Sequence, residues 1–110
     1  MAGIFIYLKK DVTSAPTGAP TSLSASSYGG SYADLTWTAP SDLTIIGYRI
    51  SYGVNGSGQL PTMIPTNSTS TLFTIFGLEP STVYNITVAA GNSAGFGPES
   101  APLYIQTSKL

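Results

Sequence analysis

No segment of this chain keeps a 3.6-residue apolar period for three turns, and 8 prolines and 12 glycines punctuate its 110 residues. That excludes a helical fold. Short runs of strict alternation recur instead, each closed by a turn signal. Ala33, Leu35 and Trp37 share one face of a run that stops at Pro40. Tyr48, Ile50 and Tyr52 share a face, with Arg49 and Ser51 opposite, and the Asn55-Gly56 pair that follows suits a tight hairpin. Two prolines mark residues 60–66 as an edge strand. Leu72, Thr74 and Phe76 alternate with Phe73 and Ile75, and Tyr84, Ile86 and Val88 alternate with Asn85 and Thr87. With a weak first strand around Leu23 and a last one over residues 101–108, the chain reads as seven strands in an antiparallel, all-β Greek-key sandwich.

The link between the fifth and sixth strands is Leu78-Glu79-Pro80-Ser81-Thr82-Val83-Tyr84. In a Greek-key sandwich the chain crosses here from one sheet to the other. A tyrosine near the start of the sixth strand can lay its ring over the crossing and bond a backbone group a few residues upstream, a tyrosine corner. Leu78 then plugs the core end, Pro80 stiffens the turn and Tyr84 is the corner residue.

These residues, in this order, resemble the fibronectin type III family from about Ala19 to Thr107. The landmarks are Pro20 and Leu23, then Leu35-Thr36-Trp37 with Pro40, then Gly47-Tyr48-Arg49-Ile50. Leu78, Pro80 and Tyr84 follow, and Asn92, Gly95, Gly97 and Ser100 match the loop before the last strand. The absence of cysteine fits this family and argues against a disulfide-bonded immunoglobulin domain. The resemblance implies seven strands in two sheets with Trp37 buried between them. It divides the chain into an arm and linker, residues 1–18, and a domain, residues 19–110. The structural residues are expected to be Trp37, Tyr48, Ile50, Leu78, Pro80, Tyr84 and Ile86.

A fold of this kind does not fix a function. Without histidine there is no imidazole base, His-based triad or His metal ligand, and without cysteine no thiolate zinc site. The five acids, Asp11, Asp34, Asp42, Glu79 and Glu99, are scattered and lack calcium-loop spacing. Gly91, Gly95 and Gly97 precede no helix and have no adjacent lysine, so they make no phosphate loop. No catalytic, cofactor or metal site is therefore expected. Charged residues are only 8% and the net charge is −1, which leaves no footprint for nucleic acid or an anionic membrane. The five-residue apolar run near the start is too short to span a bilayer.

Binding is the class that remains. Three loops, residues 41–46, 66–70 and 92–99, should cluster at one end of the sandwich. Phe96 has two readings, a contact residue at a loop tip or a ring folded back onto the sandwich end. Arg49 is expected on a solvated sheet face. Asn55, Asn67 and Asn85 each open a glycosylation sequon, which Ser/Thr-rich composition generates readily by chance.

Ahead of the domain lie Ile4, Phe5, Ile6, Tyr7 and Leu8, then Lys9-Lys10 and a Ser/Thr/Gly/Pro linker. An exposed run of this kind is an aggregation hazard. It either docks on a partner subunit or pairs with its own sandwich. The Met start with no visible secretion signal reads as a complete small protein, and the expected function is a non-catalytic structural protein of a bacteriophage virion, a decoration or tail-associated subunit. Its arm would dock on other virion subunits, with homo-oligomers in the assembly. The alternative is an extracellular adhesion or carbohydrate-associated module of a larger cell-surface or secreted protein, where surface glycans join proteins as partners.

Overall fold

The computed structural model describes residues 12–109. The apolar run at residues 4–8, and with it the expected docking arm, lies outside the described residues. Eight strands form two antiparallel sheets, with no helix among the described residues. They are β1 (Thr21–Tyr28), β2 (Tyr32–Thr38), β3 (Gly47–Val54), β4 (Thr62–Pro65), β5 (Leu72–Phe76), β6 (Val83–Asn92), β7 (Gly95–Glu99) and β8 (Leu103–Gln106). The smaller sheet has the order β1-β2-β5; the larger has the order β4-β3-β6-β7, with β8 also on β6.

The expected count was seven, and the eighth strand has a local cause. The chain after β6 turns back at once, pairing Asn92 with Gly95 and Gly91 with Phe96, where the glycines and Pro98 had suggested a loop. It then leaves the sheet at Ser100–Pro102 and rejoins β6 lower down, pairing Ile86 with Leu103 and Val83 with Gln106. Ser100 clips the break: its amide donates to the Val88 carbonyl and its hydroxyl accepts the Val88 amide.

The period-2 pattern dictates what the two sheets bury. Ala33, Leu35 and Trp37 face Ile50, Ile86, Val88 and Ile105 across the interior, and all are buried. The Trp37 and Tyr48 rings meet edge-on at 5.2 Å, an arrangement favoured by the ring quadrupoles. Burial pushes the Tyr48 phenol above its ordinary value, and the nearby Trp37 indole N–H offsets this only in part.

At the crossing from β5 to β6, Leu78 and Tyr84 are both buried. The Glu79 amide donates to the Tyr84 hydroxyl at 2.8 Å, which is a tyrosine corner. Thr107 braces the same turn. Its hydroxyl donates to the Glu79 carbonyl at 2.5 Å and accepts the Thr82 amide at 2.9 Å. Ser81 in this turn takes a positive φ of 53°.

Candidate functional site

The connections after β2, β4 and β6 converge at one end of the sandwich, and short hydrogen bonds tie each of them down. The Ile46 amide donates to the Gly91 carbonyl at 2.9 Å, joining the first loop to β6. The Thr66 amide donates to the Tyr48 carbonyl, and the Thr66 hydroxyl accepts the Tyr48 amide, joining the second loop to β3. Within the first loop, the Asp42 carboxylate accepts both the amide and the hydroxyl of Thr44, a side-chain turn that aspartate makes readily.

Asn92 is the staple of this end. It is buried, its Nδ2 donates to the Ser14 carbonyl and the Thr44 hydroxyl, and its Oδ1 accepts the Ala94 amide. The segment before β1 is therefore not a free linker at this point. Pro16 is buried, and a Cβ on Gly97 would sit 2.1 Å from the Pro16 carbonyl oxygen. Only glycine allows that approach.

Phe96 lies on the sandwich end and not at a loop tip. Its ring covers Gly91, where an added Cβ would meet it at 2.7 Å, and the Arg49 guanidinium stacks 4.6 Å from its centroid. Such a cation–π contact contributes about 0.5–2 kcal/mol, more as it is desolvated. Arg49 also approaches Glu99 at 4.0 Å, and Ser51 donates to the same carboxylate oxygen at 3.3 Å. Arg49 was expected to be solvated. Instead it is half-buried under Phe96, because β7 carries that ring over the sheet face.

The folded-back ring keeps 39% of its surface, and Ile46 beside it keeps 61%. Between them lies a cleft of about 410 Å³ lined by Ile46, Tyr48, Pro65, Asn67, Asn92 and Phe96. Leu43, at the first loop's tip, is fully exposed. The sequence pattern placed residues 41–46 in a loop but did not single out Leu43 or Ile46. The available signal was the run Leu43-Thr44-Ile45-Ile46, too apolar for a solvated loop. A second, more polar groove of about 610 Å³ runs along the larger sheet past Ser51, Asn85, Thr87 and Glu99, bringing two of the sequon asparagines, Asn55 and Asn85, to its rim.

The chemistry of the loop end is that of contact. No group of three or more residues able to hold a metal exists among the described residues, and no described helix is long and apolar enough to cross a membrane. The guanidinium beside Phe96 is neutralised by Glu99.

The family model for the fibronectin type III domain matches residues 18–106. The chain belongs to the fibronectin type III family. Among relatives, this fibronectin type III domain is 30% identical to chicken (Gallus gallus) Contactin-1 over 105 residues, covering 94% of the chain and 10% of the relative. It is 34% identical to human (Homo sapiens) Contactin-3 over 100 residues, covering 86% of the chain and 10% of the relative. The solution structure of the fn3 domain of human contactin 1 superposes with a TM-score of 0.81 at 25% identity, covering 96% of this chain and 90% of that one. The domain thus spans about a tenth of the contactins it matches. These relatives lend the virion expectation no support. The adhesion alternative is the one they favour.

Proposed function

We propose that this domain is a non-catalytic, adhesion-type module of a cell-surface protein, and that it engages a protein partner through the loop end. The single observation that carries the reading is the apolar surface of Ile46 and Phe96 at an open cleft with no charged lining, with Leu43 exposed on the same loop as Ile46, held on loops pinned to β3 and β6 of the larger sheet. Binding residues concentrate on loops held by a rigid scaffold, and a desolvated aromatic anchor is the usual centre of a protein interface. Similarity to two contactins supports the cell-surface setting. With only 9 charged residues in 110, recognition here rests on shape and apolar contact.

The test is staining of live cells by fluorescent tetramers of the domain, read by flow cytometry. The expected result is staining that is lost when surface proteins are stripped with trypsin and lost for Ile46→Asp and Phe96→Ser tetramers. Staining that survives trypsin, or that ignores both substitutions, overturns the proposal.

A further inference from the structure

The edges of the two sheets are not equally protected. Natural sheets blunt their edges with prolines, bulges, charges or very short strands, because an open edge is a template for another strand. β4 is four residues long and ends at Pro65, with Pro61 just ahead of it. β1 is broken by two register shifts, and Ser22 within it has a φ of 56°. β7 contains Pro98 and Glu99, and β8 is four residues long with Pro102 just ahead. β5, Leu72-Phe73-Thr74-Ile75-Phe76, has none of these devices: no proline, no glycine, no charge and no register shift.

The direction of its free backbone groups follows from the pairing with β2. The Trp37 amide donates to the Thr71 carbonyl at 3.1 Å, which marks that pair as a hydrogen-bonded position of the ladder. Alternation along the antiparallel ladder makes Leu35–Phe73 and Ala33–Ile75 bonded pairs as well. The N–H and C=O groups of Leu72, Thr74 and Phe76 therefore point away from β2, to a side where no strand lies among the described residues. The side chains of the same three residues stand on the outer face, where Leu72 is 64% and Phe76 73% exposed.

We infer that β5 is a homotypic docking edge, on which a second copy of this chain adds its own β5 antiparallel about a twofold axis through Thr74. The choice of occupant rests on self-complementarity. A twofold axis at Thr74 sets Leu72 against the partner's Phe76 and Phe76 against the partner's Leu72, matching apolar residues twice. It also makes each outward pair a bonded pair, and the two small sheets become one continuous sheet. Each copy has one unprotected edge among the described residues, so the assembly closes at two.

Charge does not oppose this pairing. The nearest carboxylate on that face is Asp34, held by the Thr74 hydroxyl at 2.6 Å. Across the dimer the two Asp34 groups lie three strand spacings apart, roughly 14 Å, which exceeds the ~8 Å screening length at physiological salt. The contact is small, a five-residue edge with two apolar side chains per copy. It falls short of the ~1,200–2,000 Å² of a stable complex. The dimer is consequently weak in free solution and is strengthened when copies are held at high local concentration. This surface lies away from the loop end, so the inference does not depend on the cleft around Phe96.

Because the chain contains no cysteine, one engineered thiol reports the geometry. Antiparallel bonded pairs have Cα atoms ~5.5 Å apart, within disulfide reach. Thr74→Cys should oxidise to a dimer faster than the fully exposed control Leu43→Cys by about tenfold or more, the ratio that ~1.4 kcal/mol of pairing produces. Adding Phe76→Lys should remove the excess. The Thr74→Cys protein is first shown to melt like wild type. As a check on the unmodified backbone, sedimentation equilibrium should show the wild type entering dimer at high concentration and Phe76→Lys remaining monomeric. Crosslinking no faster than the control overturns the inference. So does a wild type that stays monomeric, as it would if another segment of the same chain covered the edge.

Discussion

Removing the hydroxyl of Tyr84 tests the corner with little disturbance of packing. Tyr84→Phe keeps the buried ring against its neighbours and deletes one acceptor, the partner of the Glu79 amide at 2.8 Å. The net value of such a bond is ~0.5–1.5 kcal/mol, and a buried donor left unpaired raises the cost to ~1–3 kcal/mol. Glu79 is exposed as a residue, so water can reach part of the turn and the lower half of that range applies. Thr107 continues to hold the Glu79 carbonyl, which keeps the turn from opening altogether. The expected loss is ~1–2 kcal/mol. At roughly 4–8 °C per kcal/mol for a domain of this size, Tm falls by about 4–16 °C. Urea titration of both proteins measures it as a shift in midpoint at constant slope. The exposed tyrosine substitution Tyr104→Phe serves as control and should leave the midpoint unchanged. A Tyr84→Phe midpoint equal to wild type would show that the hydroxyl contributes nothing and would refute this reasoning.

Three further outcomes are expected. Trp37→Ala removes the side chain packed edge-on against Tyr48 and should cost ~3–5 kcal/mol, measured by denaturant titration; in the wild type, iodide should barely quench the Trp37 fluorescence. Thr107→Val leaves the Glu79 carbonyl and the Thr82 amide without their side-chain partner and should cost ~1–3 kcal/mol by the same titration. The Tyr48 phenol is held above its ordinary value of 10.0, so the folded state keeps its proton longer than the unfolded chain. That contribution to stability is complete below pH ~10 and is lost as pH rises through the folded value; melting temperatures across the alkaline range should fall less steeply for Tyr48→Phe than for wild type.

The fold was legible because its signals are local or strictly periodic. Ala33, Leu35 and Trp37 announce a half-buried strand by alternation alone, and Leu78, Pro80 and Tyr84 describe a turn whose chemistry spans seven residues. β7 was hidden because Gly95-Phe96-Gly97-Pro98 carries loop residues, and its pairing depends on a tertiary fit, the Phe96 ring over Gly91. The same fit explains Arg49. Nothing near Arg49 in sequence shows that a phenylalanine 47 positions later will cover it. The role of Asn92 was equally out of reach, since its partners Ser14 and Thr44 lie 78 and 48 residues away. The loops over residues 41–46 and 66–70 were legible because strand order fixes which connections meet, whereas the third expected loop, residues 92–99, shrinks to a turn because residues 95–99 form β7. The apolar content of the first loop, Leu43 and Ile46, becomes informative once the structure shows those side chains uncovered.

The central claim is that the loop end, and neither sheet face, contacts a protein on the cell surface. A photoreactive benzoylphenylalanine placed at Phe96 tests it most directly, with the same group at exposed Tyr28 and Tyr104 as controls on the two sheets. Irradiation on cells that the tetramer stains should give one protein adduct from position 96 and none from 28 or 104. Adducts from the sheet positions in equal yield, or no protein adduct from position 96, would contradict the account.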